Sequence, residues 1–148
     1  MREMTPGDWD IEFYADEDGR EPCREWMEDL SSIKRKAIEE AIDVVLTKRG
    51  LAVVETEYGR ALGQGLYEFR LRWTAAEVRQ KAGRVSDDAA AKSEKILLRV
   101  FFCTAGRKII LLLSGYDKGR DDSERRQQRE IAKARKLLAR YRYRASRG

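Results

Sequence analysis

Between Leu66 and Trp73 the chain alternates, with Tyr67, Phe69, Leu71 and Trp73 on one set of positions and Glu68, Arg70 and Arg72 on the other. A period of two predicts a strand with one apolar face and one charged face. Ile96 to Cys103 is apolar throughout except for Arg99, and Lys108 to Lys118 follows it after the short Gly-containing turn Thr104 to Arg107. These runs predict two further strands joined as a hairpin. Upstream, Trp9 to Tyr14 alternates apolar and acidic residues, a first strand that the acidic turn Asp16 to Arg20 breaks. Pro22 is placed to open a short helix whose apolar stripe is Trp26, Met27 and Leu30. Ser31 or Ser32 caps a second helix running to about Lys48, in which Ile33, Ala37, Ile38, Ala41, Ile42, Val45 and Leu46 recur at steps of three and four, and Gly50 ends it.

The remaining segments carry weaker patterns. Leu51 to Gly65 holds Gly59, Gly63 and Gly65 without periodicity and reads as a connector. Residues 74–95 are rich in Ala, Ser, Asp and Lys, with Val78 and Val85 as the large apolar residues, and read as an inserted mobile loop, helical in part from Ala75 to Ala82. From Ser123 to Tyr143 a stripe of Ile131, Ala134, Leu137, Leu138 and Tyr141 runs through a background of Arg and Lys, the pattern of a helix that docks on one side and shows a basic back. The expected order is β-α-α-β-β-β-α in one α+β domain spanning 1–148, its helical hairpin packed on the sheet, with no internal repeat.

Composition sharpens this picture. The chain has 148 residues and a formal net charge of +5. Lys118 to the end carries 12 Lys/Arg against 4 Asp/Glu, a local +8 that leaves −3 for the preceding 117 residues. Such asymmetry fits a polyanionic partner, phosphate by default, as well as a plain solvated helix. Cys23 and Cys103 stand far apart with no CxxC pattern, so neither a zinc site nor a disulfide framework is expected. The longest apolar stretch, Ile109 to Leu113, is too short to span a bilayer, and the charged N-terminus is unlike a signal peptide; a cytoplasmic protein without membrane contact is expected. No GxGxxG or GxxxxGK pattern is present, and no small-molecule cofactor is expected.

Histidine is absent, which removes the commonest general acid/base and the commonest metal ligand. Arg99 is the sharpest chemical signal, because an arginine in an apolar strand needs a partner or a ligand. A structural ion pair with Glu68 is one reading of it. The other is a convergent set: Arg70 and Arg99 on adjacent strands, with Tyr116, Lys118 and Arg120 where the next strand ends. Cations so placed bind a phosphodiester and stabilise the charge that grows on its oxygens as a neighbouring 2'-hydroxyl attacks. Lys118, Tyr116 or Glu68 would then handle protons, and Arg60, Arg72 and Arg120 would flank the site as RNA-binding cations. Trp26, Phe69 and Phe101 read as core aromatics, whereas Tyr58 and Tyr116 read equally as core or as base-stacking platforms.

Taken together, Leu62-Gly-Gln-Gly-Leu-Tyr-Glu-Phe-Arg70, Leu98-Arg-Val-Phe-Phe102 and Ile110-Leu-Leu-Leu-Ser-Gly-Tyr-Asp-Lys118, in this order of elements, resemble the phage-derived HigB-like branch of the RelE/ParE toxin superfamily. The resemblance covers most of the chain. It implies a RelE-like fold, a small antiparallel sheet packed against an N-terminal helical hairpin with a basic C-terminal helix. It also implies a type II toxin-antitoxin toxin that cuts mRNA, commonly on the ribosome, with no cofactor or metal, and that a helix-turn-helix antitoxin neutralises. Arg70 and Arg99 match the phosphate-binding arginines of that family, Lys118 its strand-closing base, and Tyr116 a position often held by Phe. The chain departs from the family at the insertion 74–95 and at Gly119, where relatives often have a second lysine. Alternatives on the same reading are a ParE-like toxin that inhibits DNA gyrase without catalysis, and a nucleic-acid-binding accessory protein without activity.

Overall fold

The computed structural model describes residues 6–72, Glu77 and residues 96–147. Asp10–Phe13 (β1), Gly59–Gly63 (β2), Leu66–Leu71 (β3), Leu98–Ala105 (β4) and Ile109–Asp117 (β5) form one sheet in the order β1-β5-β4-β3-β2. The four strands β2 to β5 pair antiparallel, and short turns, residues 64–65 and 106–108, join β2 to β3 and β4 to β5. The expectation of a wholly antiparallel sheet is corrected at one edge, where β1 runs parallel to β5 from Asp10 opposite Ile109 to Phe13 opposite Leu112. The chain leaves β1 through helices and re-enters the sheet at the far edge in β2, so no hairpin ties the direction of β1 to its neighbour.

Pro22–Glu28 (α1) carries its proline in the first turn. Ser31 caps the next helix by accepting a hydrogen bond from the Lys34 amide at 3.3 Å. Ser32–Ala41 (α2) continues through a π turn, Ile42–Leu46, into Thr47–Arg49. The Thr47 hydroxyl donates to the Ile42 carbonyl at 3.1 Å within that widened turn. Gly50 stops the helix at φ +53, where a Cβ would also lie 2.1 Å from the ring of Trp9.

The connector expected over Leu51 to Gly65 is more structured than its pattern implies. A 3-10 turn, Gly50–Glu55, leads into β2, which pairs with β3 from Gly59 opposite Phe69. Its sequence Gly-Arg-Ala-Leu-Gly has no β-branched or aromatic residue, so backbone pairing with β3 rather than propensity makes it a strand. The expected insertion 74–95 and Trp73 lie outside the described residues, apart from the helical Glu77.

Both faces of the sheet are covered. On one, Cys23, Met27, Ile38, Ala41 and Leu46 of the hairpin pack on Phe69, Leu71, Leu98, Val100, Phe102, Ile110 and Leu112. On the other, Glu124–Arg147 (α3) lays Ala134, Leu137 and Leu138 on Leu66, Phe101, Cys103, Leu111 and Leu113. Each fully buried leucine, isoleucine or phenylalanine contributes on the order of 2 kcal/mol of transfer free energy. The alternation of β3 thus sends Phe69 and Leu71 to the hairpin and Glu68 and Arg70 to the face that α3 covers.

Candidate functional site on the arginine-bearing face

A bulge in the β4/β5 ladder sets the site. Phe102 to Ala105 pair with β5 in one register and Leu98 to Phe101 in a register shifted by one residue. The shift places Arg99 opposite Tyr116, and the regular pairing of β3 with β4 places Arg70 opposite Arg99. Arg70, Arg99 and Tyr116 therefore form one row across three strands, with Cβ atoms of neighbours roughly 5 Å apart. In the adjoining row Arg60, Glu68, Phe101 and Ser114 are register partners in turn.

Arg99 is 4% exposed. Its Nη1 donates to the Leu98 carbonyl at 3.1 Å and, at 3.5 Å, to that of Leu71. The ion pair with Glu68 considered from the sequence is not formed, because Glu68 Oε1 lies 3.6 Å from Arg60 Nε instead. Burial pulls the Arg99 guanidinium below its ordinary pKa, and the field of Glu68 opposes that pull. Tyr116, 1% exposed, has its phenol pushed above the ordinary value by burial first and by Glu68 second.

Among the described residues, four buried side-chain atoms lack a hydrogen-bond partner: Glu68 Oε2, Arg70 Nε, Ser114 Oγ and Tyr116 Oη. All four belong to these two rows. An unmet buried donor or acceptor costs about 1–3 kcal/mol, so their concentration on one face does not serve stability. Arg70 is half-buried and Arg72 exposed, and neither joins an ion pair among the described residues. Lys118 is half-buried just past β5, where its amide donates to the Leu97 carbonyl at 2.8 Å.

Of the flanking cations expected from the sequence, Arg60 is turned to Glu68 and Arg72 stays at the surface, while Arg120 lies elsewhere, in a cleft between the hairpin and the start of α3. Sequence reasoning missed Arg126. Its guanidinium lies 5.4 Å from the centre of the Tyr116 ring, held by Glu130 at 3.1 Å. The spacing of Arg126 and Glu130 by four was legible as a helical ion pair, but its seat on Tyr116 was not. The basic back of α3 is partly occupied as well: Arg135 donates to the carbonyls of Leu62 at 2.7 Å and Gly63 at 3.2 Å, and Arg142 to that of Gln64 at 2.9 Å.

Among the described residues no three Cys, Asp or Glu side chains converge as metal ligands do, and no helix is long and apolar enough to cross a membrane. Phe69 and Phe101 are core, as expected. No protein-family model matches the chain, and no curated protein matches it.

Proposed function

We propose that this protein is a toxin of a type II toxin-antitoxin module, RelE-like in fold, that cleaves mRNA as an endoribonuclease. The observation that carries the reading is the row of Arg70, Arg99 and Tyr116, two arginines in register on one sheet face with no carboxylate among the described residues bridging them. Two adjacent like charges are costly in an empty fold and favourable once a phosphodiester lies across them. Among the described residues of this face, Arg70, Arg72 and Lys118 are solvent-accessible cations outside any ion pair, and they take the RNA backbone. Arg99 stiffens the floor beneath, tied to main-chain carbonyls, and adds its charge to the pentacoordinate phosphate as the 2'-oxygen attacks. Glu68 Oε2 and Tyr116 Oη, buried and unpartnered, are the groups that exchange a proton with the 2'-hydroxyl and the departing 5'-oxygen. Tyr116 lies beneath Arg126, so RNA engages its hydroxyl only once Arg126 moves aside.

One observation favours a second reading. Glu68 and Tyr116 at 1% exposure and Arg99 at 4% are less accessible than catalytic groups usually are. A ParE-like toxin that inhibits DNA gyrase by contact would use the same scaffold without exposing them. The two readings part in one experiment: induced expression in a bacterial host with 5'-end mapping of cellular mRNA, comparing the native chain with Arg99→Ala and Arg99→Lys. New 5' ends within minutes for the native chain, lost in Arg99→Ala by on the order of 100-fold, are expected. Growth arrest without new ends sinks RNA cleavage and leaves the gyrase reading.

A further inference from the structure

Trp26, expected as a core residue, is only partly buried, and it forms one wall of an open cleft of about 200 Å³ with Leu30, Asp29, Lys34, Arg120 and Arg126. The cleft lies at the end of β5, and Arg126 joins it to the Tyr116 ring of the site above. We infer that this cleft is the base-recognition subsite of the protein, taking a guanine nucleotide of single-stranded RNA next to the cleaved phosphate. The inference rests on the RNA-cleaving reading and adds the base that the protein selects.

A cleft of about 200 Å³ lies below the roughly 300–1,000 Å³ of a drug-sized pocket and suits one planar ring or one phosphate group. A Cβ at Gly115 would lie 2.5 Å from Trp26 Cε3 and Cζ3, so close packing on β5 holds the ring in place as a wall of the cleft. Its other surroundings divide by charge. Asp117, buried, is committed to Lys34 at 2.7 Å and to the Gly119 amide at 2.9 Å. Asp29 and Arg120, both exposed, join no ion pair among the described residues. A free carboxylate beside an aromatic wall pairs with N1–H and N2–H of guanine together, an edge no other RNA base presents. Arg120 then takes the phosphate of that nucleotide. The capped helix end is not part of the case, since Ser31 already satisfies the Lys34 amide.

The test is calorimetric titration of the full chain with 5'-GMP and 5'-AMP, in parallel with the RNA-cleavage assay. Arg120→Glu and Asp29→Asn change exposed side chains, and circular dichroism reports whether each variant is folded. The expected result is GMP binding that is at least tenfold tighter than AMP binding, weakened tenfold or more by Arg120→Glu, with the preference for GMP erased by Asp29→Asn. GMP binding that neither variant changes, or none at millimolar GMP, overturns the subsite. Selective GMP binding in a protein that produces no cleavage sinks the endoribonuclease and leaves the guanine cleft standing. Cleavage without nucleotide binding does the reverse.

Discussion

Gly115 is where one side chain decides the shape of a strand. A methyl group there would lie 2.5 Å from the Trp26 ring and 2.9 Å from the Arg99 carbonyl, which is backbone and cannot step aside. Gly115→Ala is therefore expected to cost about 1–3 kcal/mol by overpacking and to shift the Trp26 emission, measured by urea unfolding and fluorescence. The thiols give a pH prediction. Burial pushes Cys23 up to about 12 and Cys103 up to about 11. The unfolded chain then ionises first, near the ordinary thiol value, so it holds fewer protons than the fold above that pH. Stability is complete below about pH 9 and falls as pH rises toward the folded values, by at most about 1.4 kcal/mol per pH unit for each thiol. Urea midpoints between pH 8 and 11 should show the fall, and Cys23→Ala with Cys103→Ala should flatten it; an equal slope in the double variant would contradict it. At this scale the sequence was informative about identity. Arg99 stood out as a charge in an apolar run, yet its partners, the neighbouring Leu98 carbonyl and the Leu71 carbonyl across the sheet rather than Glu68, depend on how β3 and β4 pair.

The elements were legible in proportion to their periodicity. The apolar stripe of α3 appears as read, with Ala134, Leu137 and Leu138 buried and Ile131 and Tyr141 beside them. Leu138→Ala should cost about 2–5 kcal/mol in thermal or urea unfolding, because the sheet beneath cannot collapse into the space. The α3 arginines act differently. Arg135 ties two carbonyls of the β2/β3 turn, so Arg135→Ala is expected to cost only about 1 kcal/mol while speeding amide hydrogen exchange near residues 62–65. Unchanged exchange there would show that the helix does not clamp the turn. The strand β2 escaped the reading because an edge strand of Gly, Arg, Ala and Leu has no alternation to detect, and its hydrogen bonds to β3 supply what its side chains do not.

For the whole molecule the decisive property is where unpaired positive charge remains. The net charge of +5 says little by itself, since several arginines of α3 hold carbonyls or carboxylates of the same chain. Among the described residues, Arg70, Arg72, Lys118 and Arg120 are cations left over at the two candidate surfaces. Binding of a single-stranded oligoribonucleotide should weaken with salt, and the slope of log K on log salt should shrink by about 0.7 for each of these removed. Fluorescence anisotropy across a salt series checks this, and a slope indifferent to Arg70→Ala would exclude that residue from the RNA surface. Periodicity and side-chain identity, both local properties, carried the two-faced character of β3, the helical hairpin and the basic docking helix, and pointed to Arg, Lys, Tyr and carboxylates as the expected chemistry. Only the tertiary structure decided which of these residues meet. The one-residue shift between Phe101 and Phe102 sets Arg99 opposite Tyr116 rather than Gly115, and the seat of α3 decides which of them are buried; both follow from hydrogen bonds and packing between segments that local pattern cannot connect.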